Sequence, residues 1–146
     1  MNFHGAAGDL SEDALWTKLF NLNVAGEIIM AGTPAGSDTT YNSVGIVQGH
    51  AYNVIDLKVL SNGTKLIKMF NPWASDAFTG NWSDSSSLWT DALRAEVGST
   101  VANDGHFWMS FTDYYNMFSE TYINMDSSDW YSSYFMKLND TTAPNG

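Results

Sequence analysis

The sequence predicts an α+β fold in which short helices pack on an antiparallel sheet. Three observations support this class. Residues 11–23 repeat apolar side chains at helical spacing, two β-rich segments flank Asn62-Gly63, and further short β-rich segments follow, separated by turn residues. Strands that are neighbours in sequence and joined by turns usually pair antiparallel, so a mixed antiparallel domain is expected.

The first predicted element is a helix from Ser11 to about Asn23. Ser11 is a favourable N-cap residue, and the carboxylates of Glu12 and Asp13 suit the positive end of the helix dipole. A short strand is expected to follow over residues 27–32, after which Pro, Gly, Ser and Asp predict a loop.

The strongest local pattern in the chain predicts a β-hairpin. Residues 44–60 and 64–70 are rich in strand formers, and the intervening Asn62-Gly63 is the preferred dipeptide of a type I′ turn. A two-residue turn at that position would pair Val54 with Asn71 across the hairpin.

The second half of the chain is predicted to alternate loops with short elements. These are a loop over 71–90, a helix over 89–97, a strand over 107–111, a helical turn capped by Thr112 and running through Phe118, and strands over 121–125 and 131–136. Residues 1–10 are expected to form a flexible lead-in and 139–146 a frayed tail or linker start, which leaves one domain over 11–138.

Composition narrows the classes of function. Sixteen acidic residues against six basic ones give a net charge of −10, which repels phosphate backbones and argues against nucleic-acid binding. That charge could attract cations or merely keep the surface soluble. No apolar run approaches the ~20 residues of a membrane span, and no secretory signal pattern is seen, so a cytoplasmic protein is expected. The chain contains no cysteine, which excludes disulfides and thiolate zinc sites.

Two side chains stand out as candidates for chemistry, His50 and Asn71. His50 lies among small residues in a β-rich segment, which leaves room for a substrate, although a lone strand histidine is often structural. Asn71 ends the hairpin and could instead hydrogen-bond a turn. The predicted pairing puts both on one face but about 13 Å apart, so a bulge, or a bend near Gly49 or Pro72, would be needed to join them.

Four segments in fixed order resemble the second subdomain of the calpain catalytic core, which is related to papain. They are Gly49-His50-Ala51-Tyr52, Leu66-Ile67-Lys68-Met69-Phe70-Asn71-Pro72-Trp73, Thr79-Gly80-Asn81-Trp82-Ser83-Asp84 with Leu88-Trp89, and Asp104-Gly105-His106-Phe107-Trp108-Met109-Ser110-Phe111. The match covers about residues 44–122, and it implies half of a papain-like barrel.

The resemblance implies a role for each candidate residue. His50 corresponds to the general base of a Cys-His-Asn site, Asn71 to the residue that orients its imidazole, and Trp73 to a ring that shields their hydrogen bond, although Trp73 could also be an ordinary core aromatic. Ala74 stands where the family usually has glycine, which puts the loop conformation there in question. The nucleophilic cysteine belongs to the preceding subdomain, absent from this chain.

The implied function is therefore the His/Asn half of an intracellular calpain-like cysteine endopeptidase that acts on protein substrates. It would work only when docked to the cysteine-bearing first subdomain, and it would be inactive alone. The alternative is a non-catalytic calpain-like domain that serves protein binding or regulation. The residue at the nucleophile position of the full-length protein distinguishes the two.

The resemblance also implies a calcium site, in a weakened form. Asp84 and Asp104 match two of the family's carboxylate ligands, whereas Ala77 and His106 stand where acidic ligands are expected, and Asp76 could replace one of them. Calcium prefers six to eight oxygen ligands, so weak binding or none is expected. No cofactor is expected for the chemistry itself.

Overall fold

A computed structural model describes residues 10–124 and 136–137, and it confirms the α+β class. Its elements are α1 (Glu12–Val24), β1 (Ile28–Gly32), β2 (Ala51–Val59), β3 (Lys65–Phe70), α2 (Asp91–Val97), β4 (His106–Ser110), α3 (Phe111–Met117), β5 (Glu120–Asn124) and β6 (Met136–Lys137). The strands form one antiparallel sheet in the order β4-β3-β2-β1-β5-β6.

Three sequence predictions fall wholly or largely outside the described residues. They are the lead-in, the tail after residue 138, and most of the predicted strand over 131–136. Within the described residues, no helix is both long and apolar enough to span a bilayer.

Helices α1 and α3 cover one face of the sheet, and each begins at a serine. Ser11 caps α1 as predicted, since its side chain accepts a hydrogen bond from the Ala14 N–H. The predicted cap of α3 at Thr112 is wrong, because the Ser110 hydroxyl accepts from the Asp113 N–H and the helix starts at once after β4. Both helices contribute to one core with the strands, which includes Leu15 and Leu19 of α1, Phe111 and Tyr114 of α3, and the strand residues Ile29, Ala31, Tyr52, Ile67 and Met69.

The opposite face of β3 and β4 is covered by the loop over 71–90 and by α2. A second cluster lies there, made of Leu60, Leu66, Trp82, Trp89 and Trp108. The Trp89 indole N–H donates to the Ser83 carbonyl at 3.0 Å, and the Arg94 guanidinium donates to the Asp84 carbonyl at 2.7 Å. The segment predicted as a loop therefore has a fixed path, although it contains no helix or strand.

The turn of the hairpin is longer than predicted. The Leu60 N–H donates to the Thr64 carbonyl, and the Gly63 N–H donates to the Leu60 carbonyl, so three residues form the loop. Gly63 has φ +87°, whereas Asn62 is not in the left-handed region. A type I′ turn needs positive φ at both central residues, so that prediction is wrong.

A β-bulge at Ile55 shifts the hairpin register once more. Val54 pairs with Met69 and Asp56 with Lys68, so Ile55 is the extra residue and points to solvent. The predicted pairing of Val54 with Asn71 is therefore wrong by two positions, one from the longer turn and one from the bulge. Both shifts move Asn71 toward His50 and roughly halve the predicted separation along the strand.

Candidate functional site

The structure brings the two candidate side chains into direct contact. The Nε2 atom of His50 lies 2.9 Å from the Oδ1 atom of Asn71, at the edge of the core where β2 begins and β3 ends. Of the conditions that the sequence required, the structure provides both the bulge and a bend at Gly49, whose φ is +56°. The contact between His50 and Asn71 therefore depends on both the β2–β3 register and the backbone bend at Gly49.

The main chain of His50 is held by Thr33, which follows β1. The His50 N–H donates to the Thr33 hydroxyl at 3.0 Å, and the Thr33 N–H donates to the His50 carbonyl at 3.0 Å. Gly49 lies close to the same loop, because a Cβ atom there would be 2.3 Å from the Gly36 carbonyl oxygen. A larger residue than glycine at position 49 would thus displace the segment that orients His50.

Asn71 is buried and fixed by its own backbone. Its N–H donates to the Gly105 carbonyl at 2.9 Å, and its Oδ1 atom accepts from the Trp73 N–H at 3.1 Å. The second contact is a side-chain turn of the kind that asparagine favours. One oxygen therefore contacts both the turn and His50, so the turn role of Asn71 does not exclude a role beside the imidazole.

The Trp73 contact also determines which imidazole nitrogen carries the proton. A backbone N–H is always a donor, so the Asn71 atom that faces Trp73 is the amide oxygen, which only accepts. His50 must then donate from Nε2 to that same oxygen. In the neutral ring this leaves the lone pair on Nδ1, which is the nitrogen able to accept a proton.

Two aromatic rings enclose the imidazole. The Tyr52 ring meets it edge-on with a centroid distance of 5.0 Å, and the Trp73 ring lies 4.3 Å away. Trp73 is 46% exposed, so its interpretation as an ordinary core aromatic is wrong. Tyr52 is buried, and desolvation raises the pKa of its phenol even though the Val47 N–H donates to the oxygen. Tyr52 therefore stays neutral beside the imidazole.

The loop beyond Asn71 turns sharply against the segment before β4. Ala74 has φ +54°, a left-handed conformation that is unusual for a residue with a side chain. Gly105 has φ +87°, and a Cβ atom there would lie 2.9 Å from the Asn71 carbonyl oxygen and 3.0 Å from the Ala74 Cα. The question raised by Ala74 is thus answered, because alanine adopts the backbone conformation that glycine favours.

A comparison with known protein families identifies the family of the chain. The model of the calpain family cysteine proteases matches residues 4–125. The chain belongs to the calpain family of cysteine proteases. It is 38% identical over 117 residues to the calpain-type cysteine protease DEK1 of Arabidopsis thaliana, and 31% identical over 135 residues to calpain-5 of mouse. These alignments cover 79% and 77% of the chain but only 5% and 21% of the relatives.

The chain thus corresponds to a small part of each calpain relative. Calpain-A of Drosophila melanogaster is 40% identical over 90 residues, which are 54% of this chain and 11% of that protein. The absence of cysteine in the chain is consistent with a part of a calpain that does not hold the catalytic thiol.

The two expected calcium ligands, Asp84 and Asp104, line a separate pocket of about 210 Å³ with Lys68, His106 and Trp108. One Asp84 oxygen accepts from the Ala102 N–H, and one Asp104 oxygen accepts from the His106 N–H. Burial raises the pKa of Asp84, and the charges of Asp76 and Asp104 raise it further. The His106 N–H lowers the pKa of Asp104.

The carboxylates around this acidic pocket do not form a cluster of metal ligands. Among residues 10–124 and 136–137, no three His, Cys, Asp or Glu side chains are placed to share a metal ion. Ala77 is exposed and has no side-chain oxygen, and the His106 ring packs on Phe70 at 4.5 Å. Asp76 instead accepts from the Gly105 N–H. The residues present therefore do not fit a calcium ion bound by carboxylates alone.

Sequence reasoning missed two residues that build the site, Thr33 and Gly105. Thr33 reaches His50 because β1 pairs with β2, and Gly105 reaches Asn71 because β4 pairs with β3. Pairing between strands that are far apart in sequence leaves no local mark. Only the glycine itself indicated a position of special backbone conformation.

Proposed function

We propose that this chain supplies the base-bearing half of a Cys-His-Asn peptidase site, with His50 as general base and Asn71 as its orienting partner. One observation carries the proposal, namely the 2.9 Å contact between His50 Nε2 and an Asn71 oxygen that the Trp73 N–H also holds. The nucleophilic cysteine would come from another subdomain of the full-length protein, and the substrates would be proteins.

The proposed chemistry follows from the protonation state of His50. Nδ1 takes the proton of the incoming thiol, which gives a thiolate and an imidazolium whose Nε2–H remains bound to Asn71. The thiolate attacks the carbonyl carbon of the peptide, and the imidazolium gives its proton to the departing amine as the C–N bond breaks. Water, deprotonated by His50, then hydrolyses the thioester and restores the thiol.

Trp73 has a supporting role in this proposal. Its indole ring lies beside the imidazole and limits the access of water to the His50–Asn71 hydrogen bond, which strengthens that bond in a drier setting. The proposed site of action is intracellular, where a reducing environment keeps a nucleophilic thiol free. Calcium is proposed to bind this half weakly or not at all.

The alternative function is that of a non-catalytic domain with the same fold. Because the chain has no cysteine, the alternative is a calpain-like domain that only binds or regulates other proteins. The altered acidic pocket favours this rival, since two of the expected ligand positions hold Ala77 and His106. The two proposals differ in one measurable property, which is His50-dependent cleavage by the assembled protein.

The test combines the chain with the cysteine-bearing subdomain of its own full-length protein. Cleavage of an unfolded protein substrate should appear only in the combination, and His50→Ala should reduce it by about 10⁴-fold or more. His106→Gln is the matched control, because it removes a histidine that lies on β4 outside the site. Equal activity of wild type and His50→Ala, or cleavage by the chain alone, would overturn the proposal.

A further inference from the structure

The turn between β2 and β3 contains an Asn-Gly pair that has no role in the chemistry described above. Asn62 and Gly63 are exposed, and they lie in the three-residue loop between Leu60 and Thr64. Among the described residues, Asn62 is the only asparagine that glycine follows. The main-chain nitrogen after an asparagine can attack its side-chain amide, and glycine has no Cβ atom to hinder that attack.

The side chain of Asn62 is folded back over the peptide bond that follows it. Its Oδ1 atom accepts from the Thr64 N–H at 3.0 Å, which is the side-chain turn that asparagine favours. This contact holds the side-chain amide near the Gly63 nitrogen. The Thr64 N–H also lies where it stabilises negative charge on Oδ1 during an attack on Cγ, in the manner of an oxyanion hole.

The surroundings of Gly63 leave room for a reaction at its nitrogen. Gly63 has φ +87°, and a Cβ atom there would meet nothing within 4 Å apart from its chain neighbours. The Gly63 N–H donates to the Leu60 carbonyl at 2.8 Å, and this hydrogen bond must break before the nitrogen reacts. Breaking one neutral hydrogen bond in an exposed turn should slow the reaction by only about 10-fold. The folded chain therefore keeps much of the reactivity of a free Asn-Gly pair.

We propose that Asn62 deamidates spontaneously in the folded chain and becomes a mixture of aspartate and isoaspartate. Hydroxide removes the proton of the Gly63 N–H, the nitrogen attacks Asn62 Cγ, and a succinimide ring forms as the Cγ–Nδ2 bond breaks. The departing nitrogen takes a proton from water and leaves as ammonia. Water then opens the ring at one of its two carbonyl carbons, which gives either aspartate or isoaspartate.

Two other asparagines show what this reaction requires. Asn71 precedes Pro72, which has no main-chain N–H, so the orienting partner of His50 is protected from this attack. Asn103 is exposed, and its Oδ1 atom accepts from the Asp76 N–H at 3.0 Å, but Asp104 follows it with a side chain that hinders ring closure. Asn103 is therefore an internal control that resembles Asn62 in exposure and hydrogen bonding.

Isoaspartate alters the turn that sets the β2–β3 register. It adds one methylene group to the main chain of the loop, whereas aspartate leaves the main chain unchanged. Ser61 precedes the modified residue, and its N–H and hydroxyl both donate to the Glu96 carboxylate on α2. A displaced turn therefore also disturbs the contact between the hairpin and α2, and the isoaspartate form should be less stable than the aspartate form.

Deamidation is measured on the whole folded chain, in mildly alkaline buffer prepared with water that carries heavy oxygen. Peptide mapping by mass spectrometry should find the label at residue 62, at a rate within about 10-fold of that in the urea-unfolded chain, and little label at Asn103. Gly63→Ala should slow labelling in both the folded and the unfolded chain, which separates hindered ring closure from an effect on folding. Labelling of residue 62 in the unfolded chain alone, equal labelling of Asn103, or no effect of Gly63→Ala overturns the inference.

The effect on the turn is measured on the incubated chain, in which isoaspartate is quantified by enzymatic methylation of its carboxylate. The isoaspartate form should unfold at a lower urea concentration than Asn62→Asp, which carries the same charge on an unaltered main chain. Equal urea midpoints would overturn the predicted disturbance of the turn. Neither measurement depends on the proposed function, because both use the chain without a substrate.

Discussion

The His50 corner and the acidic pocket both include residues of the loop that leaves β3, and they are built in different ways. At the corner, His50 and Asn71 contact each other, and main-chain groups hold both. In the acidic pocket, Asp84 and Asp104 each accept from a backbone N–H and repel one another, which contributes to the raised pKa of Asp84. One region is a preorganised pair and the other a set of separate carboxylates.

The difference shows what each kind of site requires from the sequence. A contact between two side chains on neighbouring strands, such as His50 and Asn71, needs the right strand register. The hairpin turn and the bulge set that register, and it does not depend on the residues of the other loops. A hard cation needs several oxygen ligands from loops, and each substitution there removes one. The structure therefore holds His50 and Asn71 in contact, whereas Ala77 and His106 offer no carboxylate to the other region.

The largest expected effect that sharpens this comparison comes from Asn71→Ala in the assembled protein. It deletes the oxygen that orients His50, and kcat should fall by about 10²–10³-fold, less than for His50→Ala, because the base itself remains. The matched control is Asn103→Ala, which removes an exposed asparagine that accepts from the Asp76 N–H beside the acidic pocket. Equal losses in the two variants would mean that the corner is no more organised than the pocket.

Gly105→Ala tests the point where the two regions meet, since Gly105 accepts from Asn71 and donates to Asp76. The left-handed backbone and the close approach to Asn71 should lower the free energy of unfolding by about 2–4 kcal/mol. Gly98→Ala is the control, because Gly98 has φ +68° with no atom within 4 Å of the added Cβ, and it should cost only about 1 kcal/mol. Equal costs in urea denaturation would exclude a steric role for Gly105.

Local elements of this fold could be predicted from sequence, whereas the distances within the site could not. The N-cap Ser11 and the apolar spacing that follows it predict α1. Two strand-forming segments joined by a turn predict the hairpin, and both predictions depend only on residues close in sequence. The turn type failed because the Asn62 side chain accepts from the Thr64 N–H within a longer loop, and the bulge at Ile55 has no local marker. These two errors account for the overestimated separation of His50 and Asn71. The local sequence pointed to both residues as candidates, and the resemblance implied their roles, without that geometry.

A smaller effect is expected at Ala74, on the loop between the regions. Ala74→Gly should relieve the left-handed strain, offset in part by greater freedom of the unfolded chain, and raise the free energy of unfolding by about 0.5 kcal/mol. Ala77→Gly is the matched control, because Ala77 lies in the same loop outside the left-handed region and should lose about that amount. The same sign for both variants would show that the conformation at Ala74 carries no strain.

The smallest effect concerns Asp84 and its dependence on pH. Its pKa is raised above the ordinary 3.8, so the folded state holds the proton more tightly than the unfolded state. The group therefore lowers stability as the pH rises from about 3.8 through the raised value, and the loss is complete at neutral pH. Asp84→Asn keeps an acceptor for the Ala102 N–H and removes the charge. It should stabilise the chain by a few tenths of a kcal/mol at neutral pH, discounted for solvent screening, and have little effect in acid. Urea denaturation of the wild type and of Asp84→Asn, in acid and at neutral pH, checks this, and an equal effect of the substitution at both pH values would contradict it.

Calcium binding at Asp84 and Asp104 tests the difference between the His50 corner and the acidic pocket. If Asp84 and Asp104 still form part of a working site, calcium should stabilise the wild type and should lose that effect in the Asp84→Asn, Asp104→Asn variant. We expect binding at only about 10⁻⁴–10⁻³ M, or none, in about 0.15 M salt that screens non-specific association with the acidic surface. The readout is a chemical-shift titration of both proteins. Saturable micromolar binding that the double variant abolishes would contradict the distinction between the two regions, because it would show that the loops still assemble a cation site from the ligands that remain.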